Sequence, residues 1–345
     1  MKHQSERLNI WLLLLVAVIA VFLFQRDALF VQFEHYHDSP DVIGIRSGYE
    51  YAKIHGTSHW WTGTWINQFY NYYRPVSSYL HYTQMVVFDN YGMLPITVAT
   101  MLIYALLAAA AGLIAYLLSS RTLISYLTTV FVGGWWLDGR FDWLSYYPYL
   151  DNIAAVLFQL LTIVCFLLFV KHEQKWWVLP AWGFLIISGL CKEIGWATPA
   201  LLLVISSMSD SKGELRRAGI THAVLMGMAS AAILLYGRSQ VGALSIPPGH
   251  VIPFLTTFLT PVWLIILAAV TVSSVVFYVK FRHPTPAKIL ICILILMLPS
   301  AVINVDALGP RFIFLLPFAG VLVSTCMVMG AELFLSSKVR EPEPT

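Results

Sequence analysis

An all-α polytopic membrane protein is the fold class this sequence predicts, and three observations predict it. Hydrophobic residues fill 58% of the 345 positions and charged ones only 11%. Mean hydropathy is +0.72, more apolar surface than a soluble core of this size can hide. The apolar residues fall in repeated runs, and the longer of them meet the roughly 30 Å of a hydrocarbon layer as helices rising about 1.5 Å per residue. A transmembrane β-barrel would show alternating segments of about ten residues instead. The formal net charge of +3 comes without a basic run interleaved with aromatics, so no nucleic acid is expected as a partner.

The runs predict about ten transmembrane helices, at 9–24, 94–119, 122–136, 149–170, 176–191, 194–209, 218–236, 256–280, 288–304 and 311–335. An amphipathic segment at 76–88 either lies in the interface or adds an eleventh span. The first run follows Lys2 and Arg7 and has no small-residue cleavage site behind it, so it reads as a retained span. Residues 1–335 are therefore expected to form a single transmembrane domain. A large extracytoplasmic loop, 25–93, would carry interfacial helices, and the polar tail 336–345 is expected to be disordered. Cys165, Cys191, Cys292 and Cys326 lie in or at the ends of apolar runs with no CxxC spacing, and read as small buried hydrophobes.

Basic residues concentrate in cytoplasmic loops, and this sets the orientation. With both termini inside, the inner segments take Lys2, Arg7, Arg121, Lys171, Lys175, Lys212, Arg216, Arg217, Lys280, Arg282, Lys288, Lys338 and Arg340. Acidic residues sort the opposite way, and the outer ones stand singly in aromatic or apolar sequence. An isolated charge costs about 2.5–3.5 kcal/mol at the membrane centre and less near its edge, so it is usually kept for a partner or a task. Chemistry is expected on the extracytoplasmic face of a multi-pass protein of a plasma membrane or bacterial inner membrane.

Just beyond the first span, FEHYHDSPD offers Glu34, Asp38 and Asp41. A partly desolvated carboxylate can take a proton from an acceptor hydroxyl if a cation or metal holds the opposing charge; the alternative is a solvated acidic loop. Asp38 is the first choice as base, because the Ser-Pro that follows it fixes the turn. His35 and His37, with His55 and His59 further on, leave a divalent metal ion open as a cofactor, although their spacing matches no closed site. Trp60, Trp61 and Trp65 are explained by an aromatic belt at the headgroup level.

In Tyr72-Tyr73-Arg74-Pro75, the arginine is a candidate for a lipid-linked phosphate, since its planar fork grips phosphate bidentately and stays charged when buried. The alternative is an arginine tying the loop to a carboxylate. The stretch WWLDGRFDWLSYYPYLDN carries Asp138, Arg140, Asp142 and Asp151; the first three can pair among themselves, while Asp151 either caps a span or joins a site. Cys191-Lys192-Glu193 makes a tight connection with an opposite-charge pair. Asp306 and Arg311 bracket ALGP before the last span, where an outer arginine suits an anion better than it suits the positive-inside rule.

Taken in order, the acidic loop, YYRPVSSY, the GRxD-bearing loop, LCKEIGWATPALLLV and PRFIFLLPFAGVLV resemble the GT-C superfamily of integral membrane glycosyltransferases. The likeness is nearest to the transmembrane O-mannosyltransferases that carry tetratricopeptide repeats and to their bacterial relatives. Here Cys191 stands where that family often has Ser, Pro310-Arg311-Phe312 replaces Glu-Arg-Tyr, and spaced carboxylates replace a paired Asp. No repeat period occurs, so acceptor recognition by such repeats is not implied. The resemblance implies a GT-C-like fold and transfer of a sugar from a polyprenyl- or dolichyl-phosphate-linked donor to an acceptor, protein or glycan. It implies that Asp38, or Glu34 or Asp41, deprotonates the acceptor and that Arg74, Lys192 and Arg311 hold the donor phosphate. Tyr73, Asp138, Arg140, Asp151, Glu193 and Asp306 would support them.

A membrane transporter or lipid flippase would instead place ionisable residues near the midplane on broken helices, and a noncatalytic assembly protein would keep the fold alone. The discriminating arrangement is Asp38 beside Arg74, Lys192 and Arg311 at one outer cavity.

Overall fold

A computed structural model of the chain describes residues 7–30, 40–63, 66, 72–134, 150–172, 174–207, 213–241, 272, 316–329 and 331. All regular structure among them is helical. Helix α1 is Ile10–Phe24, opened by the Asn9 side chain, which accepts from the Trp11 and Leu12 amides at 3.0 and 3.2 Å. Helices α2 (Pro40–His55) and α3 (Pro75–Tyr91) occupy the expected large loop. Then come α4 (Leu94–Ser119), α5 (Thr122–Gly134), α6 (Leu150–His172), α7 (Val178–Cys191), α8 (Thr198–Ser207), α9 (Glu214–Val241) and α10 (Leu316–Met329).

Three of these are long and apolar enough to cross a membrane: Leu94–Ser119, Leu150–Val170 and Glu214–Gly237. Five shorter apolar helices accompany them. The expected span at 194–209 is divided into a 3-10 turn, Glu193–Ala197, and the ten-residue α8. At about 1.5 Å per residue, α8 alone is shorter than the hydrocarbon layer. Apart from residue 272, the expected spans at 256–280 and 288–304 lie outside the described residues.

Helix α6 is the central post, buried nearly all round and packed against α4 and α7. Small residues on α4, among them Ala105, Ala108, Ala111, Gly112 and Ala115, let α1, α5 and α6 come close. A β-carbon on Gly112 would stand 2.0 Å from Thr129 Oγ1 on α5. Tyr104 on α4 donates to the Val132 carbonyl at 2.7 Å, and Gly320 brings α10 against Val132. Helix α9 packs chiefly on α8 and leaves Leu225, Met228 and Leu235 exposed.

A second, smaller core lies between α2 and α3. Val42, Ile45, Tyr49 and Ala52 form one stripe of α2 at helical spacing and pack with Trp60, Ile66, Met85 and Ile96. Trp60 corrects the aromatic-belt expectation: it is 1% exposed and sits edge-on to Tyr79 with ring centroids 4.9 Å apart, whereas Trp61 remains exposed. Helix α3, the ambiguous 76–88 segment, is not among the long apolar helices, and beside Pro75 and Met85 it buries the polar Ser77, Ser78, His81 and Gln84. Gly92, at φ 77 and ψ −165, makes the sharp turn from α3 into α4 in a region essentially reserved for glycine.

Candidate functional site

Three helix starts meet beside that polar face. Arg74 is the cap residue before α3, where Pro75 presets the first helical turn. Asp151 lies in the first turn of α6. Glu193 opens the 3-10 turn that follows Lys192, itself an extended residue at the end of α7. Helix starts carry partial positive charge, so Asp151 favours its own location before any side chain is added.

Arg74, 7% exposed, joins these segments through its guanidinium. Its Nε donates to Glu193 Oε1 at 2.8 Å and its Nη2 to Glu193 Oε2 at 2.6 Å, a bidentate pair across 119 residues of sequence. Nη1 stands 3.6 Å from Asp151 Oδ2, and the Tyr72 ring lies 4.1 Å from Cζ. Asp151 accepts further bonds from Ser77 Oγ at 3.4 Å and from Asn152 Nδ2 at 2.8 Å. The Lys192 ammonium donates to Asn152 Oδ1, so one amide bridges a cation and an anion. Burial opposes charge on Arg74, but attraction and hydrogen bonding from Glu193, with Asp151 behind them, outweigh it and raise its proton affinity.

His81, one turn further along α3 from Ser77, is fully buried and donates from Nδ1 to Gln84 Oε1 at 2.9 Å, the ring hydrogen being assigned from that oxygen partner. Burial holds the imidazole below its usual range; Asp151 pulls the other way, and Arg74 and Lys192 add to the lowering. The imidazole is therefore kept neutral inside a charged cluster.

The hairpin bearing Lys192 and Glu193 is anchored at its root. The Lys192 amide donates to the Ser188 carbonyl and the Gly195 amide to the Lys192 carbonyl, at 3.0 and 2.9 Å. Thr198 Oγ1 donates to the Gly195 carbonyl and accepts from Gln159 of α6. The Trp196 indole covers Gly189 so closely that a β-carbon there would lie 2.2 Å from the ring.

Of the residues singled out from sequence, the structure brings together Arg74, Asp151, Lys192 and Glu193. Tyr73 turns away: its hydroxyl donates to the Trp61 carbonyl at 3.2 Å, and its ring packs on Tyr236 and Gly237 of α9. Asp41 lies in the first turn of α2. Glu34, His35, His37, Asp38, Asp138, Arg140, Asp306 and Arg311 lie outside the described residues. Ser77, His81, Gln84 and Asn152 join the cluster unforeseen; the one available signal was the Arg74, Ser77, His81 spacing, which stacks polar groups along one side of α3. Among the described residues no three His, Cys, Asp or Glu side chains are grouped to hold a metal ion. Asp151 and Glu193 both face the Arg74 charge, which suits a divalent cation poorly.

Compared with models of known protein families, with curated proteins and with solved structures, the chain matches none. Chemically, the described cluster offers a buried guanidinium fork and a half-buried ammonium next to two carboxylates. Such a set can exchange one anion for another or hold three distant segments in register.

Proposed function

We propose that the chain is a GT-C-like glycosyltransferase that moves a sugar from a polyprenyl-phosphate-linked donor to a protein or glycan acceptor at the extracytoplasmic membrane face. The observation that carries this is the meeting of Arg74, Asp151, Lys192 and Glu193 beside apolar helices. Arg74 comes from YYRP and Lys192-Glu193 from LCKE, two of the segments on which the family resemblance rests.

In this proposal about ten spans carry both termini on the cytoplasmic side. Arg74, Lys192 and Arg311 hold the donor phosphate, and Asp38, or Glu34 or Asp41, takes the proton of the acceptor hydroxyl. The acceptor oxygen bonds to the anomeric carbon as the bond from that carbon to the phosphate oxygen breaks. The lipid phosphate leaves with the electron pair, and nearby cations stabilise its charge.

The test is transfer from a radiolabelled polyprenyl-phosphate sugar by the purified full chain, with mass analysis of lipids that co-purify. Transfer that disappears in Lys192→Met and Asp38→Asn is the expected result. Neither transfer nor a co-purifying polyprenyl phosphate would remove the proposal. Undiminished transfer in Asp38→Asn would remove Asp38 as base and turn attention to Glu34 and Asp41. The completeness of the Arg74–Glu193 pair favours a second reading, a noncatalytic assembly protein in which the cluster only ties the fold. There, the same substitutions would change stability and no lipid-linked sugar would be turned over.

A further inference from the structure

Each two-donor edge of a guanidinium holds one bidentate anion at a time, and the paired oxygens of a carboxylate and of a phosphate fit the Nε/Nη2 edge in the same way. In this chain the seat is taken by Glu193, through both of its oxygens. We infer that Glu193 is an internal stand-in for the donor phosphate: it occupies the Arg74 fork in the empty site and yields it when the lipid-linked phosphate arrives. This rests on the function proposed above.

The two carboxylates around Arg74 are held differently, and that difference identifies the one that leaves. The Asp151 side chain is 2% exposed and is fastened by Ser77 and Asn152 as well as facing Arg74. The Glu193 side chain is 25% exposed, and among the described residues its hydrogen bonds all go to Arg74. Its backbone begins a 3-10 turn directly after an extended residue, while Gly189, Trp196, Thr198 and Gln159 anchor the hairpin further down. The root stays fixed, and rotation of one side chain at the tip suffices to bring the Glu193 carboxylate to water.

Exchange also solves an electrostatic problem. A buried arginine with no counter-anion is far less stable than one that is paired. With Glu193 seated, the carboxylates that face Arg74 and Lys192 among the described residues are Asp151 and Glu193. With phosphate seated, Asp151 remains and the ligand replaces the carboxylate that has swung out. At no stage is the guanidinium left alone.

The experiment measures binding of farnesyl phosphate to the full chain in detergent micelles, comparing wild type with Glu193→Gln. Removing the competing charge is expected to tighten binding by about tenfold or more, while unliganded thermal stability falls. Should Glu193→Gln aggregate, Glu193→Asp, whose shorter arm reaches the fork less well, is expected to shift affinity in the same direction. Arg74→Lys should weaken binding in either background. Inorganic phosphate at the same concentration should bind at least about tenfold more weakly; equal binding would overturn the lipid assignment. Wild-type binding that weakens or stays unchanged in both Glu193 variants would overturn the stand-in role and leave the transferase proposal in place. Binding by none of the proteins would overturn both.

Discussion

Replacing Arg74 by lysine keeps the charge and removes the planar fork, so it isolates what geometry contributes. An ammonium can reach one Glu193 oxygen or lean toward Asp151, but it cannot reproduce bonds of 2.8 and 2.6 Å to Glu193 while keeping the 3.6 Å approach to Asp151. It also loses the guanidinium stacked 4.1 Å from Tyr72. One charge-assisted hydrogen bond is worth about 1.5–3 kcal/mol, and a cation over an aromatic ring about 0.5–1 kcal/mol. Arg74→Lys should therefore destabilise the folded protein by about 2–4 kcal/mol, and Arg74→Met, which abandons two carboxylates, by about 3–5 kcal/mol. Reversible unfolding in mixed detergent micelles reads both values. The lysine variant should recover part of that loss when combined with Glu193→Gln, because the ammonium is then free to serve Asp151. A lysine variant within about 0.5 kcal/mol of wild type would refute the view that the fork ties α3 to the hairpin.

His81 is held neutral by burial, so its contribution is complete above the ordinary imidazole value of 6.5 and is lost as pH falls below it. Stability measured from pH 7.5 down to 5 should drop in wild type by at most about 1.4 kcal/mol per unit from this group, and His81→Gln should flatten that part of the profile. Gly189→Ala drives a methyl group into the Trp196 ring and should cost about 1–3 kcal/mol; adding Trp196→Leu should restore part of it, as an unfolding titration would show. Ser120 ends α4 at φ 58, so Ser120→Gly should raise stability by about 0.5–1 kcal/mol; a decrease would mean that this residue is held by more than its backbone.

The long apolar runs were the most legible part of the fold. Helix α4 occupies 94–119 as the apolar run proposes, and α6 begins within one residue of the expected position, because hydrophobic length alone decides such elements. Helix α2 was harder. Its sequence, PDVIGIRSGYEYAKIH, mixes glycine and charge, and it is helical where its stripe Val42, Ile45, Tyr49, Ala52 meets Trp60 and where Gly48 lies against the backbone at residue 66. That is tertiary packing, which local composition does not announce. Trp60 was misread for the same reason: an aromatic residue near a membrane face suits a belt and a small core equally well.

Within the site, charges in apolar surroundings pointed to Arg74, Asp151, Lys192 and Glu193 because isolated charges need partners. Which partner each finds could not be read. Asp151 lies in the first turn of α6 and faces Arg74. Asn152, Ser77 and Gln84 are uncharged, and nothing in their local sequence separates a buried bridging amide or hydroxyl from a solvated one. Their parts are set by what α6, α3 and the hairpin bring within 3.5 Å.

The 119 residues between Arg74 and Glu193 also impose an order on biogenesis. While the chain is being synthesised, the arginine emerges long before the glutamate that will neutralise it, with several apolar helices inserted in between. Until the α7–α8 corner is made, the guanidinium is without its bidentate partner. The ionic tie therefore closes late: a nascent product stalled short of residue 193 can set Arg74 beside Asp151 but cannot form the bidentate pair.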